Sequence, residues 1–141
     1  MFWVEIVSGL AVLQFVIFGW LVGRARVRYQ VKAPATTGNE IFERYFRVHY
    51  NTLEQLIVFL PGMWLYATHV SARWAAIIGA VYLIGRIMYL RGYVQAPAKR
   101  HIGALLSMLP PVILLLGGLG GLVFEAAQGE DPDVVVVESP R

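Results

Sequence analysis

Four candidate membrane spans, three of them long apolar runs, constrain this chain more than any other feature. A helical bilayer span needs about 20 predominantly apolar residues. Runs of that kind cover approximately 2–23, 74–93 and 102–124, and a further span over 41–68 carries polar residues through Glu54 and Gln55 before it turns apolar from Leu56 to Ala67. Hydrophobic residues make up 57% of the 141 residues and charged residues 15%, against roughly 45–50% and 25% in a soluble domain. A soluble chain this short could not bury so much apolar surface, so lipid must cover part of it. The expected fold is an all-α membrane protein, a four-transmembrane-helix bundle occupying 1–124 as one domain. The N-terminus reads as a retained first span and not a signal peptide. Glu5 stands where basic residues belong, and the apolar run reaches Gly23 without a small-residue cleavage site.

The connections carry their own signals. Pro34, Thr36, Thr37, Gly38 and Asn39 mark a loop before a second helix that starts near Glu40 or Ile41. His69, Ser71 and Arg73 suggest a short turn, and Ala96-Pro97 a break after the third span. Pro110-Pro111 implies a kink or a late start in the fourth. Gly117 to Gly121 suits close helix packing in lipid or a flexible helix end. Residues 125–141 set Glu125, Glu130, Asp131, Asp133 and Glu138 among small residues and prolines. They read as an acidic, disordered tail, with Val134 to Val137 as its one β-prone run.

Lys and Arg accumulate on the cytoplasmic side of membrane proteins. The first connection and its flanks hold Arg24, Arg26, Arg28, Lys32, Arg44 and Arg47, and the third holds Arg91, Lys99 and Arg100. The second offers Arg73 and the tail offers Arg141. Loops 1 and 3 are therefore expected in the cytoplasm, with both termini on the opposite side.

Ionisable groups within spans are costly, so they face the bundle interior or water and point to function. Arg47, Asn51 and Glu54 fall at i, i+4 and i+7, on one helical face. They offer a guanidinium fork, an amide and a carboxylate, the groups that a small zwitterionic peptide needs. An internal Arg–Glu brace is the alternative. Arg86, Tyr89 and Tyr93 make a second stripe at i, i+3 and i+7. Tyrosines at a helix end also form the ordinary interfacial belt, but Arg86 lies well inside the span. There is no cysteine, so disulfides, thiolate metal sites and a cysteine nucleophile are excluded. His49, His69 and His101 show no metal spacing. No phosphate-binding glycine loop or nucleophile elbow is present, and arginines flanking membrane spans do not indicate nucleic-acid binding.

Phe42-Glu43-Arg44 followed by Arg47, Asn51 and Glu54 resembles the second-helix signature of the membrane-associated proteins in eicosanoid and glutathione metabolism, the MAPEG family. Thr36-Thr37-Gly38 looks like the loop leading into that helix in the leukotriene C4 synthase and microsomal glutathione transferase branch. Arg86, Tyr89, Gly92, Tyr93 and Arg100 match the end of that branch's third helix and the start of its fourth. The resemblance implies a homotrimer whose sites lie between subunits near the cytoplasmic surface. There glutathione, as cosubstrate, meets a hydrophobic small-molecule or lipid co-substrate arriving from the bilayer. Arg47, Asn51, Glu54, Tyr89 and Tyr93 would hold the tripeptide, with Arg86 on the same face and Arg26 reaching in from the end of the first helix. Arg100 matches the arginine that stabilises the glutathione thiolate. His49 counts among the binding positions, although the leukotriene branch has glutamine there and the prostaglandin E synthase branch histidine. Gln55 replaces a tyrosine, and Val27 an arginine, of the leukotriene branch. The implied activity is a membrane-bound glutathione transferase, with peroxidase activity on lipid hydroperoxides. The rival readings are a non-catalytic lipid-binding scaffold, a role that one family member fills, and an accessory subunit of a larger membrane complex.

Overall fold

A computed structural model of the chain describes residues 1–95 and 101–129. Four α-helices account for most of them: α1 (Phe2–Arg28), α2 (Glu40–Tyr66), α3 (Ala72–Gln95) and α4 (His101–Ala127). No strand occurs among the described residues. One turn of π-helix, Ala67–Ser71, joins α2 to α3 without interrupting the helical path. Three stretches are long and apolar enough to cross a membrane: Phe2–Arg28, Glu40–Gln95 and His101–Ala127. The middle stretch doubles back on itself. A straight helix would set Phe59 and Tyr82 about 34 Å apart at 1.5 Å per residue, yet their rings stack with centroids 4.0 Å apart. The short turn expected at His69–Arg73 is therefore a π-turn, begun two residues earlier and kept helical throughout.

The helix ends follow local chemistry. α1 runs to Arg28, beyond the expected Gly23, and stops where Gln30 adopts a left-handed φ of 55°. The Gln30 N–H donates to Val27 O and the Val31 N–H to Arg26 O, the paired bonds of a Schellman motif. Val31 is buried with Val22, Ala25 and Phe42, which supplies the apolar contact of that motif. Asn39 caps α2: its Oδ1 accepts from the Ile41 and Phe42 N–H groups at 3.0 and 3.1 Å. Glu43 reaches back to accept from the Gly38 N–H at 2.9 Å, where φ is +126° and glycine is the residue that fits. α4 starts at His101 and runs through Pro110 and Pro111, so the late start that the prolines implied does not occur. It also includes Glu125, which places that residue in the bundle and not in the tail. Residues 130–141, including Val134 to Val137, lie outside the described residues.

α4 packs along both α2 and α3, while α1 packs on the other side of the same pair. The buried residues of α1 (Val4, Val7, Ala11, Gln14, Phe18, Val22, Ala25) recur every three or four positions and define its inner face. Its outer face is as apolar as its inner one, with Trp20 61% exposed. Such an exterior suits hydrocarbon, not water. Between lipid-bathed helices, close backbone approach replaces hydrophobic attraction as the cohesive force. A Cβ on Gly85 of α3 would meet the Leu106 carbonyl carbon at 2.6 Å, and one on Gly118 of α4 the Tyr66 nitrogen at 2.6 Å. Gly117 and Gly121 are equally closed off, against the Tyr66 ring and His69 O, so these glycines serve packing, whereas Gly120 faces open space. At one end of the bundle His69 meets Glu125 at 2.6 Å, and Met1 and Trp3 share a cleft with Ala72 and Arg73. The other end holds loop 29–39, the starts of α2 and α4 and the end of α3. The polar residues gather there.

Candidate functional site

Arg86 organises the site. It is 2% exposed, at the junction of α2, α3 and α4. Its Nη2 donates to Val48 O at 3.1 Å and to Thr52 Oγ1, and its Nη1 to Ser107 Oγ at 3.4 Å. Thr52 and Ser107 are free to accept because their own hydroxyl protons go to carbonyls one turn back, Val48 O at 2.6 Å and Gly103 O at 2.8 Å. The guanidinium carbon stands 4.6 Å from the centroid of the Tyr89 ring, a cation–π contact in a dry setting. Among the described residues no carboxylate pairs with Arg86, and its Nε is buried without a partner. The floor of the site is therefore positively charged.

Above this floor lies a groove of about 430 Å³ lined by Arg47, Asn51, Glu54, Gln55, Arg86, Tyr89, Tyr93, Ala104, Ser107 and Met108. Both helical stripes read from the sequence thus meet in one place. Asn51 Nδ2 donates to the Tyr89 hydroxyl at 2.9 Å, and the Tyr93 ring lies 5.4 Å from that of Tyr89. Arg47 and Glu54 are exposed to the groove. Among the described residues neither forms an ion pair, so the internal brace raised as an alternative is not what they make. A second cleft, about 360 Å³, lies across the Arg47–Asn51–Glu54 ridge under Thr36 and Thr37, with Phe46 and Tyr50 as its aromatic wall. α3 and α4 approach closely at the groove, since a Cβ on Gly103 would come 2.7 Å from Tyr89 Cα.

Two expected site residues stand elsewhere. His49 faces α1, stacked on Phe15 with centroids 4.3 Å apart and with Nε2 3.1 Å from where a Cβ of Gly19 would be. Two residues from Arg47 is about 200° around a helix, so the two side chains leave on opposite sides. Arg26 donates through Nη1 to Ala35 O at 2.7 Å and Val31 O at 3.4 Å, and lies over Phe42 at 4.7 Å. It holds loop 29–39 closed and does not line the groove of its own chain. Arg100 falls outside the described residues. Thr52 and Ser107, which fix Arg86, were not singled out from the sequence. Small hydroxyls in apolar spans were the available signal, because buried hydroxyls there need partners.

A helical membrane-type bundle with one arginine-floored polar groove near its loop-rich end is the class of protein that this arrangement defines. Residues 4–120 match the MAPEG family, and the chain belongs to that family. Its sequence is 48% identical over 126 residues to an uncharacterized protein (sll1147) of Synechocystis sp., covering 89% of this chain and 92% of that one. It is 39% identical over 115 residues to microsomal glutathione S-transferase 2 of Mus musculus, covering 79% and 78%. It is 36% identical over 94 residues to leukotriene C4 synthase of Cavia porcellus, covering 67% and 63%. Glutathione-dependent transferase chemistry is thus present among its relatives.

Proposed function

We propose that the protein is a membrane-bound glutathione transferase with peroxidase activity. It crosses the bilayer four times and works as a homotrimer, with loops 1 and 3 cytoplasmic and both termini opposite. The observation that carries this reading is the convergence of Arg47, Asn51, Glu54, Tyr89 and Tyr93 on one groove above the buried cation of Arg86. Glutathione has two carboxylates, an amine and two amides between them. Arg47, with the field of Arg86, suits the carboxylates and Glu54 the amine, while Asn51 and the tyrosine hydroxyls suit the amides. In a water-poor site each such contact gains strength.

Arg100 is the thiolate-stabilising residue in this reading. A neighbouring cation lowers a thiol pKa, and the thiolate is the nucleophile. The chain contains no cysteine, so the reacting sulfur belongs to the cosubstrate. The thiolate attacks an electrophilic carbon of a hydrophobic substrate, forming the C–S bond as the leaving group departs with its electron pair or the acceptor takes up a proton. With a lipid hydroperoxide, the thiolate attacks the terminal oxygen, the O–O bond breaks to give the glutathione sulfenic acid, and the departing alkoxide takes a proton from water to leave as the alcohol. A second glutathione then converts the sulfenic acid to glutathione disulfide and water. Arg26 and His49, which point away from the groove of their own chain, are assigned to the groove of a neighbouring subunit in the trimer.

The test is a titration of glutathione into purified, detergent-solubilised protein, following thiolate absorbance in the ultraviolet. A saturable thiolate signal that is lost in Arg100→Ala is expected. Binding without ionisation would remove Arg100 from the chemistry, and no binding at all would overturn the reading.

A further inference from the structure

A second cationic cleft, about 190 Å³, lies at the end of α1 and is lined by Leu21, Arg24, Ala25, Arg28, Tyr29 and Tyr45. It shares no lining residue with the groove above Arg86. Arg24 and Arg28 are one turn apart on the same face, and both are exposed. Their guanidinium contacts are with aromatic rings, Arg24 at 5.7 Å from Trp20 and Arg28 at 5.8 Å from Tyr29. Among the described residues neither is in an ion pair, and no carboxylate lines the cleft. The cleft therefore offers two cations and two phenolic rings to a ligand and nothing to neutralise them.

What lies beside the cleft identifies that ligand. Leu13, Ile17 and Trp20 continue the Arg24–Arg28 stripe along α1 at intervals of three or four residues, and all three are exposed. An anionic head over the arginines thus has an apolar track for a long tail directly behind it, with an interfacial tryptophan between them. Basic groups at the membrane surface favour anionic lipids over neutral ones. Among the described residues no carboxylate is there to pair with the cationic head of a zwitterionic lipid, and the Trp20 and Tyr29 rings that could take one already face the Arg24 and Arg28 guanidiniums. For the same reason the cleft does not suit glutathione, whose amine needs an anion. We infer that Arg24, Arg28, Tyr29 and Tyr45 bind the phosphate of an anionic phospholipid whose acyl chain lies along Leu13, Ile17 and Trp20. The inference is independent of the glutathione reading.

The experiment uses the full chain in mixed micelles with acyl-brominated phosphatidylglycerol or phosphatidylcholine, which quench nearby tryptophan. The Trp20 signal is taken as the difference between the chain and Trp20→Phe. Quenching at a lower lipid fraction by phosphatidylglycerol is expected. Each of Arg24→Gln and Arg28→Gln should weaken that preference about fivefold and the pair about 25-fold, with helicity by circular dichroism unchanged. Arg91→Gln, an exposed arginine at the end of α3, should leave the preference intact. Excess inorganic phosphate should compete poorly, because it lacks the tail. Equal quenching by the two lipids, or a preference indifferent to both arginines, would overturn the assignment. So would full displacement by phosphate, which would make the cleft a site for soluble anions.

Discussion

Asn51 of α2 and Tyr89 of α3 are joined by a 2.9 Å hydrogen bond from Nδ2 to the phenolic oxygen, across the floor of the polar groove. The bond orients both groups: the amide oxygen of Asn51 and the hydroxyl proton of Tyr89 are left for a ligand. Because the Tyr89 ring also lies under the Arg86 guanidinium, the residue links the ligand-facing surface to the buried cation.

Tyr89→Phe keeps the ring and removes the acceptor, leaving a half-buried amide N–H without its partner. A neutral hydrogen bond of this kind contributes about 1 kcal/mol, so glutathione affinity should fall roughly fivefold. Asn51→Ala should cost at least as much. The double variant should lose less than the sum of the two, as expected for directly bonded residues. Isothermal titration of glutathione against the three variants checks this, and strict additivity would mean that the bond does not shape the site.

Arg86→Met should destabilise the fold by about 2–4 kcal/mol, because it removes charge-assisted bonds to Val48 O, Thr52 and Ser107 in the interior. Arg86→Lys keeps the charge but not the planar fork that reaches α2 and α4 at once, and should recover less than half of that loss. Thermal unfolding in detergent provides the measurement. A Lys variant as stable as the parent would show that charge alone matters.

Gly85→Ala should cost about 1–3 kcal/mol, since the added methyl would meet the Leu106 carbonyl carbon at 2.6 Å and α3 would have to move away from α4. Glutathione affinity should fall with it, because Ala104 and Ser107 on the displaced helix line the groove. Gly9→Ala adds the same methyl to an open helix surface, where nothing lies within 4 Å, and should be neutral or slightly stabilising.

Much of this site was legible from helical spacing alone. Arg47, Asn51 and Glu54 repeat with the turn of a helix, as do Arg86, Tyr89 and Tyr93, and two such stripes in adjoining spans need only one rotation each to face one another. The same rule, applied to His49, puts it on the far side from Arg47, where the structure has it against Phe15. Periodicity could have excluded it from this groove. Arg26 is different: its contacts with Val31 O and Ala35 O depend on how loop 29–39 folds back, and no periodic pattern encodes that. The π-turn at Ala67–Ser71 and the unbroken course of α4 through Pro110-Pro111 were also hidden. Neither leaves a signal in the local pattern: proline inside a helix ordinarily marks an end or a kink, and no residue spacing sets a π-turn apart from an ordinary helical turn.

Glu125→Gln tests whether the far end of the bundle is separate from the site. His69 and Glu125 meet at 2.6 Å, but the carboxylate side chain is 42% exposed, and pairs of that kind contribute no more than about 1 kcal/mol. A small drop in melting temperature with unchanged glutathione affinity is expected. A large loss of binding would show that the two ends are coupled through α4.

The proposed orientation can be read directly, because the chain has no cysteine of its own and any introduced thiol is the sole target. Thr37 lies in the loop before α2 and is exposed, and Gln128 follows α4 and is exposed as well. The two sit at opposite ends of the bundle, since Glu125 meets His69 in the turn between α2 and α3, whereas Thr37 lines the second cleft beside Arg47. Four crossings with a cytoplasmic first loop require that Thr37→Cys reacts with an impermeant maleimide in inside-out vesicles and resists it in right-side-out vesicles. Gln128→Cys should show the reverse. If both thiols label from the same side, the helical stretch 40–95 does not cross the bilayer twice, and the four-span topology fails. If the pattern is inverted, the fold stands but the arginine-rich end faces away from the cytoplasm, against the charge bias of its loops.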